Sequence, residues 1–149
     1  MLSTDYCDQK QDWYQDNIDM ILIQPTMTLL SMAQAQNSDK ILECGCGTGL
    51  AARLFASTFL KPGQTYVATK FSDDMLETAW SKIYESDFGS AINTLIQEFD
   101  SITPFSEVEL KSDKRNFVSG QASLTELPFE ENTFDTVYMN NVLSFLQEK

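Results

Sequence analysis

The run Ile41-Leu42-Glu43-Cys44-Gly45-Cys46-Gly47-Thr48-Gly49-Leu50 sets a short apolar stretch before an acidic residue, then glycine at every second position, then a helical pattern. A backbone without side chains at three alternating positions lets main-chain N–H groups come against a ligand, at the positive end of the helix that follows. Such a loop holds a small polar molecule. Its spacing, E-x-G-x-G-x-G, differs from the G-x-G-x-x-G of dinucleotide-binding loops in where the third glycine falls. The chain contains no histidine, which removes the commonest general base, the commonest metal ligand and any Ser/His or Cys/His nucleophile. Its three cysteines, Cys7, Cys44 and Cys46, cannot build a disulfide framework, and a C-x-C pair inside a glycine loop lacks zinc-site spacing. Cys44 and Cys46 therefore read as small, buried, reduced side chains, and no metal is expected.

With 149 residues and 42% hydrophobic content, the chain suits one globular domain. The excess of 22 acidic over 10 basic residues, net charge -12, argues against a nucleic-acid partner, because phosphate binding needs clustered Lys and Arg. Lys111, Lys114 and Arg115 form the only cationic cluster in the sequence and read as solvated loop charge, since no aromatic residue is interleaved with them. The N-terminus carries Asp5, Asp8, Asp12, Asp16 and Asp19 with no long apolar run. It resembles neither a signal peptide nor a membrane span, so no membrane partner is expected and a cytoplasmic location is.

The elements that must position the loop follow from periodicity. Residues 12–36 predict helix, with Pro25 suited to a first helical position and Leu29, Leu30, Met32 and Ala33 forming an apolar stripe. Lys40 to Glu43 predicts a strand. After the loop, Leu50, Ala51, Leu54, Phe55 and Phe59 share one face of a helix of about three turns. Thr65 to Phe71 predicts a second strand, with Ser72 as N-cap of a helix carrying Met75, Leu76, Ala79, Trp80 and Ile83. In the insert at about 85–115, Ile92, Leu95, Ile96 and Phe99 fall at helical spacing and predict a further helix. Asn116 to Ser119 and Phe134 to Met139 predict a third and a fourth strand. Alternating strands and helices argue for a parallel α/β sheet that binds ligands at the carboxyl ends of its strands.

Four segments in this order, ILECGCGTGL at 41–50, YVATKFSDDML at 66–76, GQASLTELPFEENTFD at 120–135 and VYMNNVL at 137–143, resemble the class I S-adenosylmethionine-dependent methyltransferases of the ubiquinone/menaquinone-methylating type. The resemblance covers residues 41–84 and 116–146 best. It implies a Rossmann-like parallel sheet whose first four strands run in the order 3-2-1-4, with flanking helices. Residues 1–39 then form an N-terminal helical segment, and 40–149 a partial methyltransferase domain. The family sheet has seven strands, so the resemblance implies a chain truncated after the fourth, with an unpaired edge there that favours self-association.

The implied cofactor is S-adenosylmethionine and the implied partner a small-molecule or protein methyl acceptor. Glu43 would take the cofactor's ammonium, and backbone N–H groups near Gly45, Cys46 and Gly47 its carboxylate. Gly49 would let the next helix pack closely. Phe71 would pack on the adenine, Gln121 and Ala122 would meet its amino group, and Asn140 would close over the methionine part. Where the family carries an acidic clamp for the ribose hydroxyls, this chain has Lys70, whose ammonium can donate to hydroxyl oxygens but cannot accept from them. Lys70 keeps two alternatives open, a catalytically silent methyltransferase-fold interaction module and an NADP-binding oxidoreductase domain whose 2′-phosphate a basic residue would suit. No catalytic base can be named from the sequence. Asp135 and the turn Leu127-Pro128-Phe129 read as structural, and Trp13 and Tyr14 as core aromatics with a lid over the site as the alternative.

Overall fold

The computed structural model describes residues 17–70, 92–96 and 110–140. In chain order these form helix α1 (Asp19–Met32), a 3-10 turn (Ala35–Asn37), strand β1 (Lys40–Cys44), helix α2 (Leu50–Thr58) and strands β2 (Thr65–Lys70), β3 (Ile92–Ile96), β4 (Arg115–Gln121) and β5 (Thr136–Tyr138). The helix predicted after Ser72, together with Phe71, Trp13 and Tyr14, lies outside the described residues.

The five strands make one parallel sheet in the order β3-β4-β2-β1-β5. The four strands expected from the sequence keep their 3-2-1-4 arrangement as β4, β2, β1 and β5. The departure is β3. Helical spacing at Ile92, Leu95 and Ile96 predicted a helix, whereas Ile92–Ile96 is a strand paired in parallel with β4, from Ile92 against Arg115 to Ile96 against Ser119. Apolar spacing over so few residues does not separate the two states, and the β-branched Ile92, Thr94 and Ile96 suit a strand. The open edge of β4 decided it, because its N–H and C=O groups need partners.

Both faces of the sheet are covered, so successive residues of β2 are all buried. On one face Ile41, Tyr66, Ala68 and Phe117 pack against Leu30 of α1 and Ala51, Ala52 and Phe55 of α2. Tyr66 lies between Phe55 and Phe117, with ring centroids 5.3 and 5.8 Å away. On the other face Leu42, Cys44, Val67 and Val118 meet Leu95, Leu124, Phe129 and Phe134. Phe129 stands edge-on to Phe134 at 5.0 Å, which anchors the turn that leads into β5.

Helix α1 departs from its predicted stripe. Pro25 sits inside the helix rather than at its start, and Met32 is exposed, while Asp19, Thr26 and Leu30 face inward. A proline there leaves the Ile21 carbonyl without a helical donor, and the exposure of Ile21 lets water supply one. Asp135 is structural as expected: its Oδ2 accepts from the backbone N–H groups of Asp39 and Lys40 at 3.0 and 2.9 Å, joining the starts of β5 and β1.

At the amino ends of the strands, a cleft of about 260 Å³ opens between Lys40, Thr65, Lys111 and Asn116. Asn116, 1% exposed, closes its floor. Its Oδ1 accepts from Asn93 Nδ2 and the Lys111 N–H, both at 2.9 Å, and its Nδ2 donates to the Lys111 carbonyl at 2.9 Å. One amide thus ties β3 and the 111–114 turn to β4. Replacing it strands several buried groups at once, so Asn116→Ala is expected to lose about 2–3 kcal/mol in urea unfolding. A loss below about 1 kcal/mol would show that water replaces the network.

Candidate functional site

In a parallel sheet all carboxyl ends lie along one edge, and here that edge gathers the residues that the sequence singled out. Gly45, Gly47 and Gly49 have φ of 75°, 55° and 77°. A side chain in this left-handed region costs about 1–2 kcal/mol per residue, which is why the loop requires glycine at alternate positions. The loop is held from one side by a single acceptor. The Thr69 carbonyl of β2 takes the N–H groups of both Gly45 and Cys46 at 2.9 Å. The Gly49 N–H turns back to the Cys46 carbonyl at 2.9 Å and starts α2. The N–H groups of Gly47 and Thr48 meet no backbone acceptor among the described residues, and a Cβ on Gly47 would touch nothing within 4 Å. The loop therefore leaves two donors without backbone acceptors at the start of a nine-residue helix, with open space beside Gly47.

Beneath the loop lies a buried polar cluster. Glu43 is 2% exposed and its Oε2 accepts from the Tyr66 hydroxyl at 2.7 Å. Tyr138 completes the group, with its hydroxyl hydrogen-bonded to that of Tyr66. Burial pushes the Glu43 carboxyl up to about 8, against the opposing pull of the Lys70 charge and the Tyr138 hydroxyl. Burial also carries the Cys46 thiol up to about 12, with Glu43 adding to the shift, and raises Cys44 as well. Both cysteines are buried and unpaired, as the sequence predicted, and at neutral pH both remain thiols.

Lys70 ends β2 on the same face. It is 4% exposed, and its Nζ donates to the Gly47 carbonyl at 3.0 Å. The Lys70 carbonyl in turn accepts the Ala122 N–H at 2.8 Å, which brings the chain after β4 alongside the site. Gln121, in register with Lys70, is exposed.

An alternating-glycine loop between the first strand and the following helix of a parallel sheet, flanked by the ends of β2 and β4, is the frame of one family. The family model for a methyltransferase domain matches residues 42–149. The chain belongs to the class I methyltransferase family. Comparison with curated proteins and with solved structures gives no match.

This methyltransferase domain is closed over its loop by α1, through contacts that the sequence did not announce. Thr48 Oγ1 lies 2.9 and 2.8 Å from the two carboxylate oxygens of Asp19, and Arg53 Nη2 donates to Asp19 Oδ2 at 3.0 Å. Further along α1, Thr26 Oγ1 accepts from Asn140 Nδ2 at 2.8 Å. Helix α1 therefore bridges the glycine loop and the chain leaving β5. Asp19 had appeared only as one of a row of acidic residues, and Thr48 as one of the loop's spacers. Tyr66 and Tyr138 carried no sequence signal beyond their apolar surroundings. Of the predicted site residues, Glu43, Gly45, Cys46, Gly47, Gly49, Lys70 and Ala122 lie together, Asn140 is joined to α1, and Phe71 is outside the described residues.

The Glu43 carboxyl gives the site a pH signature. Its proton is held more tightly in the folded chain than in the unfolded one, so its contribution is fully present below about pH 4.5 and is lost as pH rises toward 8. Relative to Glu43→Gln, the wild type is expected to lose stability across that window, by up to about 1.4 kcal/mol per pH unit. Paired urea titrations at several pH values measure the difference. A difference that stays flat from pH 5 to pH 8 would refute the raised carboxyl.

Proposed function

We propose that the chain binds S-adenosylmethionine at the carboxyl ends of β1, β2 and β4, and transfers its methyl group to a small-molecule or protein acceptor. The observation that carries this reading is the loop itself. In a member of the methyltransferase family, three left-handed glycines leave the Gly47 and Thr48 N–H groups without a backbone acceptor among the described residues, at the N-terminus of α2 and with open space beside Gly47. A carboxylate suits those donors.

When bound, the cofactor supplies a methyl group already activated on a sulfonium. Transfer to an acceptor's lone pair would be a displacement that leaves the electron pair of the old bond on sulfur. Such a displacement asks the protein mainly for alignment and the exclusion of water. The Gly47 and Thr48 N–H groups would hold the carboxylate, Gln121 and Ala122 would border the adenine, and Asn140 with α1 would cover the methionine part. Phe71 is assigned to the adenine face by its place in the sequence. No side chain among these is assigned as a base, and an acceptor of low pKa needs none.

Lys70 favours a second reading, a silent methyltransferase-fold module, since its ammonium replaces the acidic ribose clamp and is spent on the loop. Calorimetric titration of the full chain with S-adenosylmethionine and with its demethylated product, S-adenosylhomocysteine, separates the two. Saturable heat from both is expected. Its absence at millimolar ligand, for a sample shown to be folded, would leave the silent module.

A further inference from the structure

Donors and acceptors of the glycine loop are not equally available. The Cys46 carbonyl is taken by the Gly49 N–H, the Gly49 carbonyl by the Arg53 N–H, and the Gly47 carbonyl by Lys70 Nζ. The Gly47 and Thr48 N–H groups, by contrast, meet no backbone acceptor among the described residues. Glu43, the acidic group that could attract a ligand cation, is 2% exposed and is engaged by the Tyr66 hydroxyl. Among the described residues, the ammonium that reaches the loop is that of Lys70. Its side chain is 4% exposed, so it is built into the site rather than laid across it.

We propose that Lys70 is an internal occupant of the cation position beside the glycine loop, so that the site draws its affinity from a ligand's carboxylate and gains none from its ammonium. This rests on the cofactor reading above and adds a specificity to it. A ligand ammonium would have to displace Lys70 from the Gly47 carbonyl or lie against a like charge in a poorly hydrated site. A ligand with the same nucleoside and carboxylate but no α-amino group meets neither obstacle. Lys70 thus determines which tail the loop takes.

The test compares two probes by calorimetry on the full chain: S-adenosylhomocysteine and the same molecule lacking its α-amino group. The wild type is expected to bind the deaminated probe at least as tightly. In Lys70→Met the Gly47 carbonyl becomes free for a ligand ammonium, and the order reverses to favour S-adenosylhomocysteine by about tenfold or more. Lys70→Arg keeps the cation and the wild-type order. Melting curves confirm that each variant is folded, and the wild-type comparison requires no variant. A wild type that prefers S-adenosylhomocysteine by about tenfold, or a Lys70→Met with unchanged order, overturns the role of Lys70 and leaves the cofactor reading standing. Failure of folded wild type and folded Lys70→Met to bind either probe overturns the cofactor reading itself.

Discussion

A carboxyl group almost sealed from water near the carboxyl end of β1 sets the terms for everything around it. Glu43 cannot be buried alone: burial already favours its neutral acid, and even that form needs hydrogen-bond partners in the core. The fold meets this need by three means: a hydroxyl from Tyr66, a hydroxyl from Tyr138, and the nearby charge of Lys70. Tyr66 and Lys70 come from β2 and Tyr138 from β5, so the cluster also fixes β1, β2 and β5 side by side. Lys70 has to be buried as well, and the Gly47 carbonyl gives it an acceptor. The glycine loop is thereby tied to the sheet through a charge as well as through the Thr69 carbonyl.

The same economy joins the N-terminal helix to the site. Asp19 would be costly inside the α1–α2 interface without Thr48 and Arg53, and Thr48 belongs to the loop. The helix is therefore coupled to the loop, since the hydroxyl bonded to Asp19 belongs to a loop residue. With Asn140 bound to Thr26, α1 spans the site from one side to the other. A polar seam thus joins the helical segment to the loop.

Much of the fold was legible along the chain. The apolar runs at 40–44, 65–70, 115–121 and 136–138 are too short for helices and are punctuated by glycine, proline and polar turns, which is why their strands were found. Residues 92–96 were misread because their apolar positions satisfy a helical period and a strand equally well. Only an open neighbour, β4, distinguishes the two. Met32 was misplaced for a similar reason, since the side of α1 that faces inward is set by Asp19 and Thr26, polar residues that an apolar pattern ignores.

For the site, the sequence by itself determined the loop, its glycines, the positions of the residues around it and the family to which they belong. These are local facts: left-handed backbone needs glycine, and the spacing of glycines is written in order. The tertiary structure alone decided which groups are spent and which are open. The Lys70–Gly47, Thr48–Asp19 and Asn140–Thr26 bonds join residues 23, 29 and 114 positions apart, distances over which periodicity carries no information. A lysine in the sequence is a charge of unknown destination. Its meaning here comes from a parallel sheet that brings the ends of β1 and β2 together and sets the ammonium against the Gly47 carbonyl.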